Sequence, residues 1–158
     1  MTSLQNQIGK RHPFELAEEE AYLNIIRTAA VLSSGFQRLF KAQGLSESGY
    51  NVLRMLRAAG DNGKTWTEIR RDLVVPSPDV TRLVARLESA GLAVRERSTT
   101  DRRVNRLRIT ARGTAIIDAL DEPVRELHLQ HLGHMDSGSV QMLSRLLEEA
   151  RDQSGEFG

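Results

Sequence analysis

Apolar residues recur at helical spacing through most of the chain, and the exceptions fall together. Between residues 14 and 41, Leu16, Leu23, Ile26, Ala30, Leu32, Phe36, Leu39 and Phe40 keep close to a period of about 3.6 residues, which predicts a long helix closed by Gly44. Ser46 caps a second helix that reaches about Ala59, with Tyr50, Leu53 and Leu56 on one side and Val52 and Met55 alongside. Asp61, Asn62 and Gly63 make a turn. Thr65 caps a short third helix over residues 66 to 73, with Trp66, Ile69 and Leu73 facing inward, and residues 74 to 76 turn again. In the fourth helix Val80, Leu83, Val84 and Leu87 stand at i, i+3, i+4 and i+7 and form a buried stripe. The other face must show Asp79, Arg82, Arg86 and Ser89, with Pro78 and Thr81 exposed at its leading end. Ser77 is expected to be the cap, Pro78 the first helical residue and Asp79 a complement to the positive helix end. Gly91 ends this helix.

The period then changes to two. Residues 94 to 97 and 104 to 109 alternate like strands around a polar loop, with Leu107 and Ile109 on one face and Arg106 and Arg108 on the other. Thr110 caps a fifth helix expected to run past Pro123 to about Leu132, and a last helix carries Val140, Leu143, Leu146 and Leu147. The order predicts a mainly α fold: a winged helix–turn–helix with an α/β wing over residues 45–110. A flexible arm covers residues 1–13, a dimerisation helix 14–44 and C-terminal dimerisation helices 111–158. The outer helices are assigned to dimerisation because the middle already closes a small core, which leaves their apolar sides in need of a partner.

Charge adds the chemistry. The formal net charge is only +1, but Arg95, Arg97, Arg102, Arg103, Arg106, Arg108 and Arg112 face just Glu96 and Asp101 nearby in sequence, while Glu15, Glu18, Glu19 and Glu20 gather near the start. Cations this close repel unless a counter-charge arrives, so Arg95, Arg97, Arg106 and Arg108 are expected to lie near a polyanion. Arg82 and Arg86 are the candidate base readers, arginine on guanine being the commonest specific contact. The loop with Asp101, Arg102 and Arg103 can reach phosphates or the adjacent minor groove. In a twofold dimer the two recognition helices would lie roughly 34 Å apart and read a pseudo-palindromic double-stranded DNA operator.

Other classes fit poorly. The chain has no cysteine, which removes disulfides, thiolate zinc sites and thiol redox chemistry. No apolar run approaches the roughly 18 residues of a membrane span and no signal-peptide core is present, so a cytoplasmic protein without membrane contact is expected. No nucleophile–base–acid set, phosphate loop or metal signature suggests an enzyme or a cofactor. His128, His131 and His134 fall at i, i+3 and i+6, but Gly133 interrupts the helix and nothing completes a shell, so they are read as exposed or interface residues and no metal is assigned. The alternative is a winged-helix scaffold that binds protein without an operator. It would not need Arg82, Arg86, Arg102 and Arg103 together.

The recognition helix, Gly91 and Leu92, the basic strand, the D-R-R at Asp101, Arg102 and Arg103, and the L-R-I-T-x-x-G from Leu107 to Gly113 together resemble the MarR family of bacterial transcriptional regulators. That resemblance implies that Arg103 enters the minor groove from the wing tip, that Asp101 orients wing arginines, and that Ser77, Pro78, Asp79, Thr81 and Arg82 line the major groove. It also implies a homodimer made by the terminal helices, and a repressor released by a small aromatic or anionic effector. Phe36, Arg38, Phe40, Tyr50 and Met55 are the candidate effector lining.

Overall fold

Glycine followed by leucine ends two helices of this chain in the same way. After α2 (Ala17–Ala42) the Leu45 N–H donates to the Phe40 carbonyl at 2.9 Å and Gly44 to Lys41 at 3.0 Å. After α5 (Val80–Ser89) Leu92 donates to Leu87 and Gly91 to Glu88, both at 2.9 Å. This paired stop needs a left-handed residue in its middle, which glycine supplies without a Cβ penalty, and Gly91 has a φ of 68°. The leucine that follows turns inward, so the stop also contributes to the core: Leu45 and Leu92 are both buried.

The computed structural model describes residues 4–76, 79–97 and 105–152. The chain divides into two compact units, residues 1–118 and 119–158. The first contains α1 (Leu4–Gln7), α2, α3 (Glu47–Ala59), a 3-10 turn (Gly60–Asn62), α4 (Trp66–Asp72), α5, and the antiparallel strands β1 (Ala93–Arg97) and β2 (Asn105–Ile109). α6 (Ala111–Leu132) begins in the first unit and ends in the second, which also holds α7 (Ser137–Asp152). This is the mainly helical winged helix–turn–helix order expected from the alternation of periods.

The core of the first unit is drawn from most of the elements that the periodicity marked: Phe40 of α2, Val52, Leu53 and Leu56 of α3, Ile69 of α4, Val84 and Leu87 of α5, Leu107 of β2 and Ile117 of α6 are buried, whereas Leu16, Ile26 and Val94 are exposed. Each such side chain contributes about 1.5–3 kcal/mol by leaving water. The caps follow the sequence closely. Ser46 Oγ accepts from the Gly49 N–H at 3.1 Å. Thr65 and Glu68 form a capping box in which Thr65 N–H donates to Glu68 Oε2 at 2.7 Å and Glu68 N–H donates back to Thr65 Oγ1 at 3.3 Å.

Two local expectations differ. The cap of α5 is Asp79, whose Oδ1 accepts from the Arg82 N–H at 3.1 Å, so the helix begins at Val80, later than a Ser77 cap requires. A carboxylate at this place satisfies an orphan backbone donor and opposes the helix dipole at once. Within the segment expected to be an arm, α1 buries Leu4, and Gln7 accepts from Arg27 Nε at 3.0 Å. The second unit by itself offers little shelter: α7 buries no residue, and Met142 and Leu146 are 47% and 55% exposed. Among the described residues no helix is long and apolar enough to cross a membrane.

Candidate nucleic-acid interface

α5 separates its two faces as its sequence requires. Val80, Val84 and Leu87 are buried, Leu83 is half-buried, and Thr81, Arg82 and Arg86 are exposed. Arg82 and Arg86 stand one turn apart on an open cleft of about 180 Å³ that Ser46, Ser48, Asp79 and Leu83 complete. Among the described residues neither arginine has an acidic partner. Ser46 was legible only as a cap and Ser48 not at all, because their approach to α5 is a tertiary event. Ser77, Pro78, Asp101, Arg102 and Arg103 lie outside the described residues, as does the side chain of Arg97.

The hairpin corrects one electrostatic expectation. Its arginines do meet counter-charges, but these come from the domain itself. Arg95 Nη2 lies 3.0 Å from Glu88 Oε2 of α5, with its guanidinium 5.3 Å from the centre of the Trp66 ring in α4. Arg106 donates from Nε to the Asn62 carbonyl at 2.8 Å and stands 3.7 Å from Glu68. Arg108 pairs with Glu96 at 3.0 Å and with Asp61. Nearness in sequence hid this, since Asp61 and Glu68 arrive from the 3-10 turn and α4. Partly exposed pairs add little stability individually, but here they fix the direction of the hairpin against α4 and α5. Arg95, Arg106 and Arg108 are thus buttresses of the wing.

The same corner carries a pH dependence. Lys64 exchanges backbone hydrogen bonds with Leu107 of β2, and its Nζ lies 2.7 Å from Asp72 Oδ2, while Arg71 Nε holds Oδ1 at 2.7 Å. The hydrogen bond from Arg71, then that from Lys64, lowers the Asp72 carboxyl to about 2 from an ordinary 3.8. A depressed folded value stabilises above the unfolded value, and the contribution disappears as pH falls through the folded one. Asp72→Asn is therefore expected to flatten the loss of stability between pH 4 and about 2 relative to wild type, read from urea midpoints. Parallel acid limbs in the two proteins would contradict it.

Hairpin and α6 meet at one joint. Thr110 donates from its N–H to the Leu92 carbonyl at 3.1 Å and from Oγ1 to the Gly91 carbonyl at 2.8 Å, while Oγ1 accepts from the Gly113 N–H at 3.1 Å. A Cβ on Gly113 would collide with the Leu92 carbonyl and with Ile109 Cγ1. The G-L and I-T-x-x-G motifs are thus two halves of a single contact.

Of the five effector candidates, three come together. The Phe40 and Tyr50 rings stack at 4.2 Å with 17° between planes, and Phe36 follows at 6.1 Å. Among the described residues the buried Tyr50 hydroxyl has no hydrogen-bond partner, although the Arg54 guanidinium lies 5.9 Å from the ring centre. Arg38 is exposed, and Met55, five residues on, faces nearly the opposite side of α3 from Tyr50. Among the described residues no three His, Cys, Asp or Glu side chains gather as metal ligands.

A model of the MarR family matches residues 43–104, the stretch from the end of α2 into the hairpin. A MarR transcription factor from Planctomyces limnophilus is 35% identical, with 86% of this chain and 98% of that one covered and a TM-score of 0.65. This chain belongs to the MarR family of transcriptional regulators. The repressor IacR of Pseudomonas putida is similar to this MarR-family chain, at 28% identity over 83% of it and 77% of the relative. BpsR of Bordetella bronchiseptica, whose DNA binding is regulated by 6-hydroxynicotinic acid, shares the fold at 18% identity, covering 89% and 99% of the two chains with a TM-score of 0.75. The MarR-family match falls on the lobe that holds α5 and the wing, where Arg82, Arg86 and the buttressed hairpin also lie.

Proposed function

We propose that this transcriptional regulator is a repressor that binds a pseudo-palindromic operator as a homodimer and leaves it when a small aromatic or anionic effector binds. The observation that carries the DNA half is the contrast in arginine pairing: Arg95, Arg106 and Arg108 are neutralised within the domain, whereas Arg82 and Arg86 stay exposed and unpaired among the described residues. By this reading Thr81 and Arg82 face base edges, together with Ser77, Pro78 and Asp79 at the helix start, while Arg102 and Arg103 meet the backbone or minor groove with Asp101 orienting them. Tyr22, Ile25 and Ile26 of α2 and Met142 and Leu146 of α7, all more than 40% exposed, supply apolar surface for a second copy. The name of IacR supports repression.

The effector half rests on Tyr50. A buried hydroxyl that has no partner among the described residues carries a desolvation cost that a ligand oxygen can relieve, and Phe36 and Phe40 offer the ring surface an aromatic acid needs. The test is a mobility shift of the DNA upstream of its own gene, with sedimentation of the protein alone. A salt-sensitive shift by a dimer is expected, and a monomer that shifts nothing would sink the reading. With 6-hydroxynicotinic acid as probe, Tyr50→Phe should keep or raise apoprotein stability by about 1 kcal/mol while reducing any thermal shift. A fall in stability would mean the hydroxyl is satisfied.

A further inference from the structure

We propose that the cleft between α3 and α5 is a phosphodiester site, in which Arg86 and the hydroxyls of Ser46 and Ser48 grip the DNA backbone, so that of the two arginines on this face Arg86 holds the backbone and only Arg82 reads bases. The proposal rests on the DNA-binding reading and divides its two arginines. The cleft is lined by Ser46, Ser48, Asp79, Arg82, Leu83 and Arg86, and it opens to solvent. Its negative group is placed away from Arg86: Asp79 is committed through Oδ1 to the Arg82 N–H, and seven residues of helix set it roughly 10 Å from Arg86 along the axis.

The hydroxyls are in the right protonation sense for an anion. Ser46 Oγ uses a lone pair to accept from Gly49, which leaves its O–H proton to donate outward. Ser48 is half-buried and has no hydrogen-bond partner among the described residues. Position along α5 supplies the rest. A recognition helix touches base edges with its N-terminal residues, where Arg82 sits in the first turn. Arg86 stands roughly 6 Å further along, at the level where Gly49 lies against Leu87, and thus beside the start of α3. Two hydroxyls sharing a cleft with a guanidinium suit a tetrahedral phosphate oxygen set, whereas a base edge would need donors and acceptors in one plane.

The test uses a duplex that the protein itself selects from a random pool, and a random duplex of equal length. Affinity is followed against salt for wild type, Arg86→Ala, Arg82→Ala and Ser48→Ala. Arg86→Ala is expected to weaken both duplexes by the same factor and to lower the salt slope by about one, with the specificity ratio unchanged. Ser48→Ala should weaken both with the slope intact. Replacing single phosphates by neutral methylphosphonates should then find one position per half-site where wild type loses affinity and Arg86→Ala loses no more. An Arg86→Ala protein with lowered specificity and an unaltered slope would overturn the proposal and make Arg86 a base reader. Unchanged binding of both duplexes would overturn it too. A wild type that binds neither duplex would remove the DNA-binding reading itself. Arg86 is exposed, so an unchanged melting temperature in the variant separates these outcomes from misfolding.

Discussion

Gly113→Ala is expected to destabilise the protein by about 3 kcal/mol, near the top of the range for overpacking and a large part of a typical domain's stability. The added methyl would meet the Leu92 carbonyl and Ile109 Cγ1. Neither can yield cheaply. The Leu92 carbonyl accepts from the Thr110 N–H, and Leu92 itself is both the buried end of the α5 stop and the first residue before β1. Moving it shifts the recognition helix, the wing and the start of α6 together. Gly91→Ala makes an informative companion, because the nearest atom to its added Cβ is Arg112 Nη1 at 4.0 Å and only the φ of 68° is strained. It should cost about 1 kcal/mol. Urea midpoints measure both. Equal midpoints for Gly113→Ala and Gly91→Ala would mean that the joint does not constrain position 113 by close approach.

Arg82→Ala is expected to cost about 1–3 kcal/mol on a selected site, roughly fivefold to 150-fold in affinity, and much less on random DNA. The reason is differential. On random sequence the guanidinium would find only the diffuse attraction of the backbone, whereas at its site it would also donate two hydrogen bonds to the acceptors of a base edge. Asp79 has a part in this: its carboxylate caps the Arg82 backbone N–H and so fixes the first turn from which the side chain projects. Titration of fluorescent duplexes by wild type and variant measures the two ratios. Equal losses on both duplexes would remove Arg82 from base reading.

Much of this lobe was legible because its signals are local. Ser46, Thr65 and Thr110 are caps that need only the next three residues, and Gly91 with Leu92 is a stop written in two letters. The stripe of Val80, Val84 and Leu87 required only helix geometry. What escaped depends on contacts distant in sequence. Arg106 and Arg108 looked like cations without partners until Asp61 and Glu68 were brought beside β2. Ser48 carried no signal at all before α3 was laid against α5. The α5 cap illustrates a subtler limit. Ser-Pro-Asp offers two capping residues, and local preference does not decide between serine and aspartate when both suit the site. The aromatic stack was half legible: Phe36 and Phe40 share a face of α2 by spacing, but Tyr50 joins them, and Arg38 and Met55 do not, for reasons of tertiary packing.

If α5 reads a DNA sequence and two copies of the chain present it together, the protein must select its own site. Selection from a random duplex pool by the purified protein tests it most directly. The expected product is an inverted repeat whose half-site centres lie about 10 base pairs apart, with enrichment at the base-read positions lost in Arg82→Ala. A pool that stays unenriched, or a lone half-site bound by a monomer, would contradict it.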